Sequence, residues 1–330
     1  MKIIVTGGAG FLGTRVIRAL LAGTGRHDGL PTFDGIVSID LSPCPLDDPR
    51  VVSVTGDIAE PSFVRQIVGA DTAGIYHLAA VLSGGSEADF DLATRVNIDG
   101  TRALLEAARA AGKAPRFVFT SSLAVFGGPM PEVVPDDMAT MPNSTYGAQK
   151  AIGELLVNEY SRKGFVDGRV CRLPTISVRP GRPNSAASSF ASGIIREPLA
   201  GIVADCPVPL DTRMWLSSPG AAVANLVHAM ALNGGRIGPW RTLNLPGLCV
   251  TVGDMLRSLE RIGGPKARAL VREAPDRRIM DIVCSWPGAF DTSRATALGF
   301  TGDSDFDAVV RQYRAEFPSA HAASEADLRQ

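Results

Sequence analysis

The chain reads as an α/β protein: a doubly wound parallel sheet with helices on both faces, joined to a smaller interleaved α/β lobe. Three observations predict this. Short apolar runs rich in β-branched residues recur through the first half, beginning with Ile3-Ile4-Val5, and such runs read as strands buried on both faces. Segments of helical period stand between them, which is the alternation of βαβ units. The first run stops at Thr6-Gly7-Gly8, and Gly7, Gly10 and Gly13 stand three apart before a helical pattern begins near Phe11.

That glycine pattern has a strand before it and a helix after it. The first glycine allows a tight turn, the second a close approach of backbone to a pyrophosphate, and the third close helix–strand packing. The N–H groups and positive dipole end of the new helix then face the phosphates. The first helix is expected from Phe11 to Ala22, with Leu12, Val16, Ala19 and Leu20 on one face and Gly23 and Gly25 ending it. A polar, glycine-rich loop follows. The second strand, Ile36 to Leu41, carries Asp40 near its end. An acid there accepts hydrogen bonds from ribose hydroxyls and repels a 2′-phosphate, which favours NAD over NADP; a capping role is the competing reading. Val51 to Thr55 is the third strand. Asp57, just past it, either meets the adenine or caps the helix starting near Pro61, and the residues leave both open.

Gly74 to Leu78 is the fourth strand, closed by small residues, Ala79 and Ala80, that let a cofactor lie across the strand ends. His77 lies in an apolar strand with no partner beside it and reads as a core histidine. Val81 to Asp89, with Ser83, reads as a Ser/Gly-rich loop in reach of a ligand. Phe90 to Ala111 has helical period, and Asn97 is a polar residue on its buried stripe, so it needs hydrogen-bond partners. Phe117 to Phe119 is the fifth strand, opening on Thr120-Ser121-Ser122. Pro129 to Pro142, acidic and proline-rich, reads as a flexible cover over a site. A helix from about Ser144 to Arg162 follows.

On that helix Tyr146 and Lys150 are four apart and share a face. A phenol's ordinary pKa, about 10, is too high for base work at neutral pH. A nearby ammonium is expected to lower it, as is the positive charge of an oxidised nicotinamide. Tyr146 would then take a proton from a carbinol and return it in the reverse direction. Lys150 would also hold the nicotinamide ribose, and Ser122 would hydrogen-bond the same substrate oxygen.

Composition bounds the alternatives. The 330 residues suffice for a large core and one or two domains. A net charge of −1 offers no basic field to nucleic acid or an anionic membrane. No apolar run approaches the roughly 18–20 residues of a membrane span, and the chain opens directly on a strand, leaving no room for a leader. Five scattered cysteines without ligand spacing suggest reduced thiols in a cytoplasmic protein, with no metal site.

Together, TGGAGFLG, the acid after the second strand, GDI, HLAA, VNIDGT, FTSSLAVFG and YGAQK resemble the extended short-chain dehydrogenase/reductase family over most of the first 180 residues. The resemblance implies a Rossmann-type fold, NAD as cofactor, and Ser122, Tyr146 and Lys150 as the catalytic group. It implies Gly7, Gly10, Phe11, Leu12, Gly13 and Asp40 around the cofactor. It adds Asp57, Ile58, Leu78, Ala79, Ala80 and Asn97. RLPT corresponds to the strand exit that meets the nicotinamide, with Leu173, Pro174 and Thr175 along that wall. Two departures narrow the chemistry. Sugar-nucleotide epimerases of the family usually carry Tyr where this chain has Phe126. Dehydratases usually carry an acid pair where it has Leu123 and Ala124, so dehydration is disfavoured.

The second half resembles a subgroup acting on four-carbon sugar acids, through RLPTISVRPGRPNSAASSFASGIIREP, TRMWLSSPGAAVANLVHAM and FDTSRATALGF. The resemblance implies oxidation of a 2-hydroxy sugar acid, D-erythronate to 2-dehydro-D-erythronate. Residues 179–189 are rich in Arg and hydroxyls, as a polyol carboxylate requires. Arg179, Asn184, Ser185 and Arg213 are the candidate contacts with Ser83, Ser122 and Tyr146, and Arg213 is the favoured clamp for the carboxylate or another substrate oxygen. A structural salt bridge is the competing reading for it. The expected organisation is an NAD-binding domain over 1–174 that the chain re-enters at about 207–245, a substrate lobe over 175–206 and 246–317, and a polar tail over 318–330. Arg241 to Leu245 is the expected returning strand. Thr251 to Ile262 is the expected helix, capped by Thr251 with Asp254. A homodimer through the helices bearing Asn97 and Tyr146 follows from the family habit. The rival functions are an NAD-dependent sugar-nucleotide epimerase or reductase, and a non-catalytic NAD-sensing protein.

Overall fold

The computed structural model describes residues 1–23, 28–181 and 186–318. The first half holds six strands: β1 (Lys2–Thr6), β2 (Gly35–Asp40), β3 (Val51–Thr55), β4 (Thr72–His77), β5 (Arg116–Ser122) and β6 (Asp167–Leu173), with helices between each pair except β2 and β3, which a loop joins. A later strand, Thr242–Asn244, pairs beside β6 as the returning segment. All seven run parallel, with β4 and β1 adjacent at the centre, β2 and β3 on one side, and β5, β6 and the late strand on the other. The order reverses between β1 and β4, the switch point outside which ligands bind in such sheets.

Side-chain alternation explains the two faces. Ile3 and Val5 of β1 pack with Val16, Ile17 and Leu20 of the helix Phe11–Ala22 and with Leu226 and Met230 of the helix Pro219–Ala231. Ile4 points to the other face, with Leu104 and Leu105 of Thr101–Ala111 and Val157 of Thr145–Arg162. The sheet is buried on both sides through its centre, as its unbroken apolar runs require, whereas the edge strand Val51–Thr55 is half-buried to exposed.

A second core gathers the helices Phe190–Leu199, Val252–Ala269 and Phe306–Glu316. They pack beside a small sheet of Thr175–Ile176, Arg213–Ser217 and Leu248–Thr251. Thr251 and Asp254 form the capping box expected of that second helix. The helix continues past Ile262 through a non-helical Gly264 to Ala269.

Three expectations change. The stretch after β4, read as a loop, contains the helix Ser83–Ala88. The Phe90–Ala111 helix is interrupted by a π-helical turn at Arg95–Gly100, a device common at functional sites. The proline-rich segment is not a cover over the site: Val134 is fully buried, its N–H donates to the Ala289 carbonyl, and Asp291 N–H donates to Val134 O. An apolar residue inside the acidic run anchors it against the second lobe.

Candidate active site

Two connected cavities lie outside the C-terminal ends of the strands. The larger, about 430 Å³, runs over the glycine loop. Gly7, Gly10, Phe11, Leu12 and Gly13 line it from β1, and Asp40 from the end of β2. Asp57 and Ile58 follow β3, and Leu78, Ala79 and Ala80 follow β4. The loop admits no side chains where it turns. A Cβ on Gly7 would stand 2.8 Å from Ala79 N, and one on Gly13 would stand 2.1 Å from Gly7 O. The first helix starts at Gly10 with no side-chain cap, which leaves its first N–H groups for a bound anion. Asp40 Oδ2 accepts from Ala9 N at 3.1 Å and Oδ1 from Leu41 N at 2.7 Å, so the acid braces the loop while lining the groove. These residues fit a dinucleotide: a backbone cradle for pyrophosphate and a carboxylate for ribose. Asp57 does not cap the Pro61–Ile67 helix, whose N-cap is Glu60. It accepts from Ala59 N and pairs with Arg95.

Asn97 corrects an expectation. It is buried and lies outside the lining of either cavity. Its amide instead grips the backbone of Val81, accepting from N at 2.8 Å and donating to O at 3.1 Å, and donates to Gln149 Oε1 at 2.7 Å. Asn97 therefore shapes the groove through Val81, which does line it. A second chain braces the same wall. Ala79 N–H donates to Thr6 Oγ1, which meets His77 Nδ1 at 2.8 Å. His77 Nε2 meets Thr101 Oγ1 at 2.8 Å, and Thr101 donates to the Asn97 carbonyl. Because the Thr101 proton is spent on that carbonyl, Nε2 carries the imidazole proton and Nδ1 accepts from Thr6. Burial pushes His77 down to about 3, so it stays neutral, the core histidine that its strand implied.

The smaller cavity, about 160 Å³, opens from the groove. Ser122, Tyr146 and Lys150 all line it, with Leu173, Pro174 and Thr175 along one wall. Two packing events join the catalytic candidates. Ser122 ends β5 and its Oγ accepts from Ala124 N at 3.1 Å, starting a tight turn. The Tyr146 helix begins against that turn at Gly147, where a Cβ would be 2.0 Å from Ala124 O. Any larger residue would push Tyr146 away from Ser122.

Lys150 Nζ donates to Thr120 O at 2.8 Å, 4.8 Å from the Phe119 ring centroid and 5.6 Å from that of Tyr146. Burial lowers it to about 7, against the opposing pull of Glu154 one turn on. That carboxylate is locked by Arg172 in a two-pronged buried pair, at 2.9 and 2.8 Å. The phenol is not lowered, as the sequence suggested, but raised to about 12: although Tyr146 keeps some surface open, the protein mass around it outweighs the charge of Arg179, which pulls the other way. A desolvated oxygen holds its proton unless a close charge compensates.

Arg179 lines both cavities. Its backbone is pinned by the helix Phe190–Leu199, N–H to Ser192 Oγ at 3.0 Å and C=O from Arg196 at 2.7 Å. Ser83 also lines the small cavity, with its Oγ accepting from Ala187 N. Arg213 does not: it is exposed and paired with Glu132 at 2.8 Å, the salt-bridge reading, because its strand directs it to the outer surface. Asn184 and Ser185 lie outside the described residues. Trp286, Ala186 and Ser188 line the cavity as well. Ser188 belonged to the hydroxyl-rich stretch, whereas nothing local to Ser285-Trp286-Pro287 signals a site.

The NAD dependent epimerase/dehydratase family model matches residues 3–215. The chain belongs to that family. It is an NAD-dependent short-chain dehydrogenase acting on a CH–OH group, with NAD as its cofactor. Among curated relatives, D-erythronate dehydrogenase of Cupriavidus necator is 54% identical, across 95% of this chain and 98% of that protein. D-erythronate dehydrogenase of Haemophilus influenzae is 46% identical over the same shares. Among solved structures, one described as the nucleoside-diphosphate-sugar epimerase of Agrobacterium tumefaciens superposes with a TM-score of 0.89 at 41% identity, covering 97% of this chain and 95% of that one.

Proposed function

We propose that the chain oxidises a 2-hydroxy sugar acid with NAD, D-erythronate to 2-dehydro-D-erythronate. The observation that carries this reading is the small cavity itself. Arg179 and Lys150 both line, with Tyr146, a space of about 160 Å³, well under the roughly 300–1,000 Å³ typical of ligand pockets. The two dehydrogenase relatives, alike over nearly the whole chain, support the same substrate.

In this reading Arg179 holds the carboxylate, in place of Arg213. The adjacent C2 hydroxyl then lies at Tyr146, with Ser122 orienting its oxygen. The nicotinamide, when bound, supplies the hydride acceptor. Tyr146 takes the hydroxyl proton in oxidation and returns it in reduction. A phenol at about 12 rests in its acid form at neutral pH, so oxidation should quicken as pH rises. Lys150 keeps the phenol in register through the shared helix face and presents its amine to the nicotinamide ribose. The enzyme is proposed to be a cytoplasmic homodimer. No helix among the described residues is long and apolar enough to cross a membrane, and Ile152 and Leu155 are exposed on the Tyr146 helix, where a second copy would cover them.

The Agrobacterium structure favours a second reading, a sugar-nucleotide epimerase. Against it stand the size of the cavity and Phe126, which is fully buried against Arg172 and Phe290 where such epimerases usually present a tyrosine. NAD reduction, followed by absorbance against a panel of aldonates and UDP-sugars, separates the two. Turnover of D-erythronate is the expected result; action on UDP-sugars with none on aldonates rejects the proposal.

A further inference from the structure

The small cavity is lined by Tyr146 and Ser122 at its reacting side, by Arg179, which also lines the groove, and by Ser83 and Ser188. Trp286 closes it from the last part of the chain and does not line the groove. We propose that Trp286 is the specificity residue that sets the longest sugar acid this site accepts. The inference rests on the sugar-acid reading above and deepens it.

The indole belongs to a segment held at several points. Trp286 N–H donates to Val283 O at 3.1 Å, at the end of the helix Arg277–Val283. That helix packs on Ala187–Ser189, which carries Ser188. Two residues on, Gly288 is pressed against the strand Arg213–Ser217, where a Cβ would meet Arg213 Cβ at 2.5 Å. The Ala289 carbonyl accepts from Val134 N at 3.0 Å. The Phe290 ring stands 5.6 Å from Trp215 and 5.8 Å from Phe126, the residue that closes the turn after Ser122. Trp286 itself packs against both neighbouring apolar clusters. The wall and the reacting side thus share one rigid frame.

A wall so held cannot retreat for a longer substrate without disturbing the Ser122 turn. With the carboxylate on Arg179 and the C2 hydroxyl at Tyr146, the remaining carbons extend toward the indole, whose apolar face suits C–H groups. The indole Nε1–H of Trp286, unlike its backbone N–H, has no hydrogen-bond partner among the described residues, so it is available to a terminal hydroxyl. Each added carbon meets the ring. Discrimination per carbon in such a pocket is typically about 10–200-fold.

The test is steady-state NAD reduction by wild type, Trp286→Ala and Trp286→Phe on D-configured aldonates of four, five and six carbons, with NAD affinity by calorimetry and Tm measured in parallel. For Trp286→Ala the six-carbon to four-carbon ratio of kcat/KM should rise at least about tenfold, through a higher KM for the four-carbon acid with kcat nearly kept. Trp286→Phe should restore most of the wild-type ratio, which a merely structural role would not produce. Should the alanine variant fail to fold, Trp286→Leu carries the same expectation at smaller scale. Wild-type turnover with an unchanged ratio in a folded, NAD-binding Ala or Leu variant overturns the wall alone. A wild type silent on every aldonate overturns the sugar-acid reading and the wall with it.

Discussion

The dinucleotide groove takes its residues from consecutive strand ends: the loop after β1, Asp40 at the end of β2, Asp57 after β3 and Ala79 after β4. At its glycine loop, backbone is brought close by missing side chains. The small cavity draws Ser122, Tyr146, Arg179 and Trp286 from separated segments, and what it presents is side chains. The difference teaches where each is vulnerable. A backbone cradle tolerates little added volume but needs few particular functional groups. A side-chain cavity can lose one group and keep its shape.

The sharpest break of that contrast is Tyr146→Phe. It removes one oxygen and no wall, so kcat should fall by about 10²–10⁴ while calorimetry finds NAD affinity unchanged; an active variant would remove the proposed base. Gly13→Ala is the converse experiment. One methyl aimed at Gly7 O from 2.1 Å should cut NAD affinity by on the order of a hundredfold, with Tm lowered as the loop shifts. Full NAD binding by that variant would show the cradle to be softer than its contacts indicate.

Two arginines sharpen the comparison further. Arg179→Met should raise KM for the sugar acid about tenfold or more, since a charged hydrogen bond is worth about 1.5–3 kcal/mol. Arg213→Met should leave kinetics within about twofold, as an exposed pair contributes little. A reversal of that order in steady-state kinetics would return the clamp to Arg213. The smallest expected effect is on stability. Lys150 stands at about 7 in the folded protein against 10.5 ordinarily. Between those values the unfolded chain binds more protons, so stability rises with pH across that window and gains nothing from this group below it. Melting curves of the NAD-free protein should show wild type gaining on Lys150→Met from pH ~7 to ~9; parallel curves would mean an amine that folding leaves in water.

Most of the fold was legible because it is local. Val51–Thr55 and the helix from Phe11 to Ala22 fall where apolar period and glycine punctuation place them. The Ser83–Ala88 helix was not, since SGGSEA is poor in helix formers and is held by packing against the Tyr146 helix. Asn97 had a legible need for partners, but its target, the Val81 backbone, could not be read from a helical stripe. The height of the Tyr146 phenol was misjudged for a related reason. Spacing shows the nearby ammonium, whereas desolvation depends on everything that folds around the oxygen.

By itself, then, the amino-acid order determined the parallel sheet, the glycine cradle and the placing of Tyr146 one turn before Lys150. Each of these depends on residues within a few positions of one another, where steric and periodic rules act. Tertiary structure alone decided which arginine faces the cavity and that Trp286 closes it. It also decided how far burial raises the phenol. Those outcomes depend on which distant surfaces exclude water together, and no local pattern records that.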